Sequence, residues 1–185
     1  MRKLTILVDM DDVLNNLVES WIHYLNERYS TNVSVEDVLS WDITKAFPTL
    51  SIDDIYAPSH IDEFWETVKP NIDNIEYLNQ IINDGYKVVL VTASKYQTIY
   101  KKFEMFFKYC PYLSWDDVIV TSQKQMIKGD VLIDDGIHNL EGGDYLKFLI
   151  DRPHNRYFDA DKNGIKRIKS IKEGYALIQQ YPEVI

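Results

Sequence analysis

The sequence predicts an α/β fold, a parallel sheet covered by helices on both faces, and three observations predict it. Short, wholly apolar runs alternate with stretches of helical periodicity. The runs are too continuous for a sheet with one wet face, as buried parallel strands require. Several of them end in polar residues able to line one rim. The 185 residues, 45% of them hydrophobic, suit one domain with a sizeable core and a small insertion.

The first strand is Leu4-Thr5-Ile6-Leu7-Val8, and it stops at Asp9-Met10-Asp11-Asp12. In extended chain, residues two apart point the same way, so Asp9 and Asp11 converge while Met10 turns aside. Two carboxylates ~4 Å apart repel by about 4 kcal/mol at an effective dielectric of 20. Such a pair wants a shared proton or a hard divalent ion. Leu17, Val18, Trp21, Ile22 and Leu25 then recur at helical spacing and predict a helix over 16–29. From 34 to 69 the pattern is short helices at 35–39, 52–56 and 61–68, a turn at Trp41-Asp42-Ile43, and no convincing strand. Residues 15–70 thus read as a small helical cap inserted after the first strand, with 1–14 and 71–185 forming the core domain.

Beyond the cap, Ile72, Ile75, Leu78, Ile81 and Ile82 predict a helix over 71–84, stopped by Gly85 as the left-handed cap residue. The second strand, 86–91, leads into Thr92-Ala93-Ser94. A helix over 95–108 carries Ile99, Phe103, Phe106 and Phe107 on one side. Apolar runs at 118–120, 131–133 and 148–150 bring the count to about five strands, and 170–181 reads as a closing helix. The helix-then-strand order makes the sheet Rossmann-like.

Charge and composition exclude several partners. A net charge of −9 argues against a nucleic-acid duplex or an anionic membrane, both of which demand basic surface. No apolar stretch approaches the ~20 residues of a membrane span, and Asp9 interrupts the first apolar run too early for a secretory signal. The lone Cys110 has no disulfide partner within the chain and suits a reducing cytoplasm, as a structural thiol. Asp159-Ala160-Asp161-Lys162-Asn163-Gly164 begins like a calcium loop, but Ser170 stands where the bidentate Glu belongs, so a polar turn is expected. His23, His60, His138 and His154 show no ligand spacing.

Asp9 and Asp11 after the first strand, Thr92 after the second, Lys124 after the third and Asp134-Asp135 at the fourth occur in an order that resembles the haloacid dehalogenase superfamily. Taken singly, Thr92 is a strand-ending threonine, Lys124 a solvated lysine and Asp134-Asp135 a turn. Joint order makes the case. Asp12 stands where the family usually has Gly, and Gly136 where some relatives carry a basic residue. The stretch 3–156 is similar to the 5′(3′)-deoxyribonucleotidase branch, through Thr92-Ala93-Ser94, Tyr109-Cys110-Pro111-Tyr112 and Asp151-Arg152-Pro153-His154-Asn155-Arg156.

The resemblance implies a magnesium-dependent phosphatase acting on (deoxy)nucleoside monophosphates. Asp9 is then the nucleophile and Asp11 the general acid and base, while Thr92 and Lys124 bind the phosphoryl group. Asp9, the backbone carbonyl of Asp11, Asp134 and Asp135 hold Mg²⁺. Ser94 binds substrate, and Trp41, Phe64 and Trp65 of the cap are the candidates to stack on the base. The second acid, Asp11, favours a phosphatase over a dehalogenase, which has no alkoxide to protonate. A phosphatase for another small ester and a non-catalytic phosphate-binding module are the alternatives, the latter opposed by the intact acid pair, Thr92 and Lys124. Oligomeric state stays open, with a homodimer among the options.

Overall fold

The computed structural model describes residues 3–180. Six strands form one sheet: β1 (Thr5–Val8), β2 (Lys87–Thr92), β3 (Val118–Val120), β4 (Val131–Asp134), β5 (Leu146–Ile150) and β6 (Lys166–Ile168). Their order is β3-β2-β1-β4-β5-β6, and every neighbouring pair is parallel. Helices are α1 (Leu17–Tyr29), α2 (Ile52–Tyr56), α3 (Asp62–Thr67), α4 (Ile72–Asn83), α5 (Tyr96–Tyr109), α6 (Ile137–Leu140) and α7 (Ile171–Ile178). The predicted end of α7 at Tyr181 lies outside the described residues.

Five strands stand where the apolar runs predict them, and β6 is the addition. Lys166-Arg167-Ile168 is an outer strand with one half-wet face, so it lacks the continuous apolar run of its buried neighbours. The period of two divides the inner strands between two layers. Ile6, Val8, Val88, Leu90, Val131 and Ile133 pack with α4, α5 and α7 on one face. Leu7, Val89, Val91, Leu132 and Leu149 pack with Leu140, Ala160 and Ile165 on the other. Each fully buried aliphatic contributes about 1.5–3 kcal/mol against exposure.

Local signals start and stop the helices. Asn71 accepts a hydrogen bond from the Asn74 N–H at 3.2 Å and opens α4. Gly85, at φ +86°, closes it in the left-handed region, which a Cβ disfavours. Within 15–70 the predicted 35–39 helix is shorter, a 3₁₀ turn at Val35–Asp37, and this part of the chain builds apolar clusters of its own. Ile22, Leu25, Val38, Ile43, Phe47 and Ile55 form one, and Leu17, Phe64 and Trp65 another. The chain leaves and returns side by side, with Asn16 N–H donating to Lys69 O and Asn71 N–H to Leu14 O, both at 2.9 Å.

Strand order sets the place of the site. From β1 the chain lays β2 and β3 to one side, then crosses to lay β4, β5 and β6 on the other. The switch point falls between β1 and β4, and the crevice beyond their carboxyl ends is where such sheets bind ligands. Asp9 follows β1 and Asp134 ends β4 at that gap.

Candidate active site

Asp9 is buried at the mouth of the switch point, its N–H donating to Ile133 O of β4 at 2.9 Å. Lys124 opens a 3₁₀ turn after β3 and is 1% exposed; its ammonium reaches Asp9 Oδ1 at 2.7 Å and Asp134 Oδ2 at 2.6 Å. The solvated lysine expected of Lys124 in isolation is thus a buried bridge between two carboxylates. Asp134 uses its other oxygen to accept from Gly136 N–H at 2.8 Å and Asn139 Nδ2 at 2.9 Å. Gly136 is required by that close approach. A Cβ there would come within 2.8 Å of Asn139 Nδ2 and 3.2 Å of Asp134 Oδ1, so a basic side chain at this position would displace the network.

Asp135 is held differently. Its Oδ2 lies 3.1 Å from His154 Nε2, and its backbone carbonyl accepts from Asn155 Nδ2 at 2.9 Å. Burial keeps the His154 imidazole below its ordinary value and hence neutral, donating through whichever nitrogen carries the proton. Asp135 Oδ1 is buried and has no hydrogen-bond partner among the described residues. Such an orphan is expensive unless a ligand satisfies it.

The charge balance is lopsided. Burial pushes the Asp9 carboxyl up to about 8 against the pull of Lys124, with Asp134, Asp135 and Asp11 adding to the rise. Burial likewise carries Asp12 to about 8 and Asp135 well above the carboxylate range. Oxygens of Asp9, Asp134 and Asp135 lie within 4.8 Å of one another. An all-oxygen, strongly anionic donor set with one orphan fits a hard divalent cation such as Mg²⁺. Asp134 has both oxygens engaged, so Asp9 and Asp135 carry the spare capacity. Asp11 is not in this carboxylate trio. Its Oδ1 accepts from Asn15 Nδ2 at 3.1 Å and its Oδ2 from Lys102 Nζ at 2.5 Å.

A cavity of about 280 Å³ opens over these groups. Asp9, Asp11, Thr92, Ser122, Lys124 and Asp135 line its floor, while Leu17, Trp21, Val38, Trp41, Ile43 and Tyr56 supply an apolar roof. Trp41 is 55% exposed, and its ring meets His138 and His154 edge-on, with centroids 4.6 and 5.3 Å apart. Phe64 and Trp65 do not line the cavity. Both are buried inside the 15–70 segment, where Phe64 packs against Trp21 and Tyr24, and Trp65 Nε1 donates to Ser59 O at 3.0 Å. Ser94 also stays off the cavity wall, its Oγ accepting from Lys102 at 2.8 Å.

Four residues enter the site that are not among the candidates read from the motifs. Asp12, in the left-handed region at φ +53°, caps α1 by accepting from Val18 N–H at 3.1 Å, and Arg152 donates to its carbonyl. The tolerance of Asp for that conformation explains how it stands in place of Gly. His154 and Asn155 hold Asp135 from the loop after β5. Lys102 carried a legible signal: it follows Ile99 by three and precedes Phe106 by four, a lysine on an inward helix face. Cys110 is buried, and burial pushes its thiol up to about 11, as a structural thiol requires.

Comparison with known proteins places the chain in a family. The model of the family described as 5′ nucleotidase, deoxy (Pyrimidine), cytosolic type C protein matches residues 2–181. A 5′(3′)-deoxyribonucleotidase of Bacillus subtilis (strain 168) is 33% identical over 159 residues, covering 83% of this chain and 88% of the relative. Among solved structures, a haloacid dehalogenase-like hydrolase from Streptococcus pneumoniae superposes with a TM-score of 0.66 at 13% identity, over 96% of this chain and 99% of that one. A D,D-heptose bisphosphate phosphatase from B. bronchiseptica, complexed with magnesium and phosphate, gives 0.56 at 12% identity over 97% and 100%. At these identities the two structures speak for the fold. On the family match and the relative at 33% identity, the chain belongs to the deoxynucleotidase family of phosphatases, built on the haloacid dehalogenase-like fold.

Proposed function

We propose that the protein is a Mg²⁺-dependent phosphomonoesterase that hydrolyses (deoxy)nucleoside monophosphates to nucleoside and phosphate through an aspartyl-phosphate on Asp9. The observation that carries this reading is Asp9 itself: a buried carboxylate on the cavity floor, paired with Lys124 at 2.7 Å and grouped within 4.8 Å of oxygens of Asp134 and Asp135.

The chain's residues divide the work. Asp9 attacks phosphorus, forming an acyl phosphate as the ester P–O bond breaks. Asp11, on the same floor, gives a proton to the departing alkoxide, then takes one from the water that cleaves the acyl phosphate and regenerates Asp9. Lys124 keeps Asp9 oriented and neutralises charge on the transferred group, and the Thr92 hydroxyl donates to a phosphoryl oxygen. Asp9, the Asp11 carbonyl and Asp135 would hold the Mg²⁺, with Asp134 fixing Lys124. When bound, the ion offsets the phosphate charge that would otherwise repel a carboxylate nucleophile.

The apolar roof supports a nucleoside as the leaving group, with Trp41 as the base-stacking residue in place of Phe64 and Trp65. A cytoplasmic setting fits the free Cys110, and among the described residues no helix is long and apolar enough to cross a membrane. Phosphate release from a panel of nucleoside 5′- and 3′-monophosphates, with p-nitrophenyl phosphate beside them, tests the reading. Turnover requiring Mg²⁺ and favouring nucleotides is expected. No turnover of any of them would overturn it.

A further inference from the structure

We infer that Lys102 is a positioning residue for this reaction, holding Asp11 and Thr92 in the arrangement that protonation of the leaving oxygen requires. The inference rests on the role of Asp11 proposed above. Lys102 sits on the inward face of α5 and is 3% exposed. Its ammonium has three N–H groups, and three acceptors surround it: Asp11 Oδ2 at 2.5 Å, Ser94 Oγ at 2.8 Å and Thr92 Oγ1 at 3.0 Å. Every donor is used, so the nitrogen is fixed as a tripod. Asn15 Nδ2 grips Asp11 from the other side through Oδ1 at 3.1 Å. The carboxylate of Asp11 is thereby held at both oxygens, and its rotamer is set by two side chains from different parts of the chain.

The tripod sets direction as well as place. An ammonium only donates, so Thr92 and Ser94 accept from it and their own hydroxyl hydrogens turn elsewhere. For Thr92, which lines the cavity, that leaves the O–H free to be given to a phosphoryl oxygen. Lys102 does not line the cavity, and the Trp65 ring covers it from the 15–70 segment, its centroid 6.0 Å from the ammonium. Lys102 therefore acts through Asp11 and Thr92, and Trp65 finds a use as its roof. Structural duty alone does not call for a buried charge here, since an apolar side chain on the same helix face would pack without a partner.

The test compares Lys102→Met, Asp11→Asn and the double variant on two substrates at saturating Mg²⁺. A nucleoside monophosphate has a poor leaving group that needs a proton; p-nitrophenyl phosphate has a good one that does not. Lys102→Met is expected to lower kcat on the nucleotide by about 10²-fold, the lower end of what a positioned general acid supplies, and to lower it far less on p-nitrophenyl phosphate. KM should change little, because Lys102 touches no substrate. In the Asp11→Asn background, Lys102→Met should cost no more on the nucleotide than the small loss it causes on p-nitrophenyl phosphate, which is the share carried through Thr92. Equal loss on both substrates, or full additivity in the double variant, would overturn the inference. If Lys102→Met fails to fold, judged by its thermal midpoint and near-ultraviolet circular dichroism, Lys102→Gln keeps a neutral donor in the same space and the comparison is read there. The double variant leaves no unpaired buried charge and serves the same purpose. If Asp11→Asn itself loses both substrates alike, the role of Asp11 fails. If Asp11→Asn shows the split and the Lys102 variants do not, the inference about Lys102 alone fails.

Discussion

Asp9 and Asp11 stand two residues apart on one rim, yet the structure gives them different company. Asp9 is buried against Lys124, whereas Asp11 faces the cavity between Asn15 and Lys102. Asp9→Asn is expected to abolish turnover and leave no hydroxylamine-labile phosphoenzyme after acid quench with labelled substrate. Asp11→Asn should lose most on poor leaving groups and least on p-nitrophenyl phosphate, which steady-state kinetics on the pair would read. The buried acids also set a pH dependence. Asp9 and Asp12 are carried from 3.8 to about 8 by burial, opposed by Lys124 and by Val18 N–H and Arg152 respectively. Between those values the native, metal-free protein binds more protons than the unfolded chain, so its stability falls as pH rises through that window. A divalent cation bound at Asp9 would replace the proton there. The rise in thermal midpoint on adding Mg²⁺ should therefore be larger near the top of the window than near the bottom, and should be lost in Asp135→Asn. An equal Mg²⁺ shift throughout would contradict the assigned site.

Among the elements, the 15–70 segment makes the clearest contrast, because its tryptophans look alike in sequence and differ in place. Trp41 is an exposed roof residue beside two histidines, and Trp65 is 6% exposed among Leu17 and Phe64. Trp41→Ala should raise KM for a nucleotide about tenfold, since one stack on a base contributes ~1–3 kcal/mol. Turnover of p-nitrophenyl phosphate and the thermal midpoint should hardly move. Phe64→Ala empties a fully buried site and should cost about 3–5 kcal/mol of stability, seen as a lower denaturant midpoint with both substrates affected together. Arg156, after β5, pairs with Glu36 at 2.5 Å and joins the core sheet's loops to this segment. The element boundaries were legible where one signal dominated: Asn71 and Gly85 bracket α4, and wholly apolar runs mark β1, β2 and β4. They were not where signals were weak, as in β6, where Lys166-Arg167-Ile168 carries two charges and no apolar run.

For the molecule as a whole, an anionic protein is asked to bind an anionic substrate. With a net charge of −9, long-range repulsion opposes encounter, and salt screens it over about 10 Å at 0.1 M. At fixed free Mg²⁺, kcat/KM for a nucleotide should therefore rise with added potassium chloride, and a fall would mean that local positive potential at the cavity mouth outweighs the net charge. The residues themselves determined the parallel α/β fold, the helical character of residues 15–70 and the four strand ends that precede or bear Asp9, Thr92, Lys124 and Asp134-Asp135, because burial and backbone period are local and repeat along the chain. Tertiary structure decided which side chains those ends would hold. Asp135 rather than Asp134 is left with a free oxygen, because Lys124, Gly136 and Asn139 take both oxygens of Asp134. Trp41 rather than Trp65 reaches the cavity, and Lys102 arrives from 91 residues away to bind Asp11. Partners so distant in sequence leave no periodic trace, since what brings them together is the order in which strands are laid beside β1.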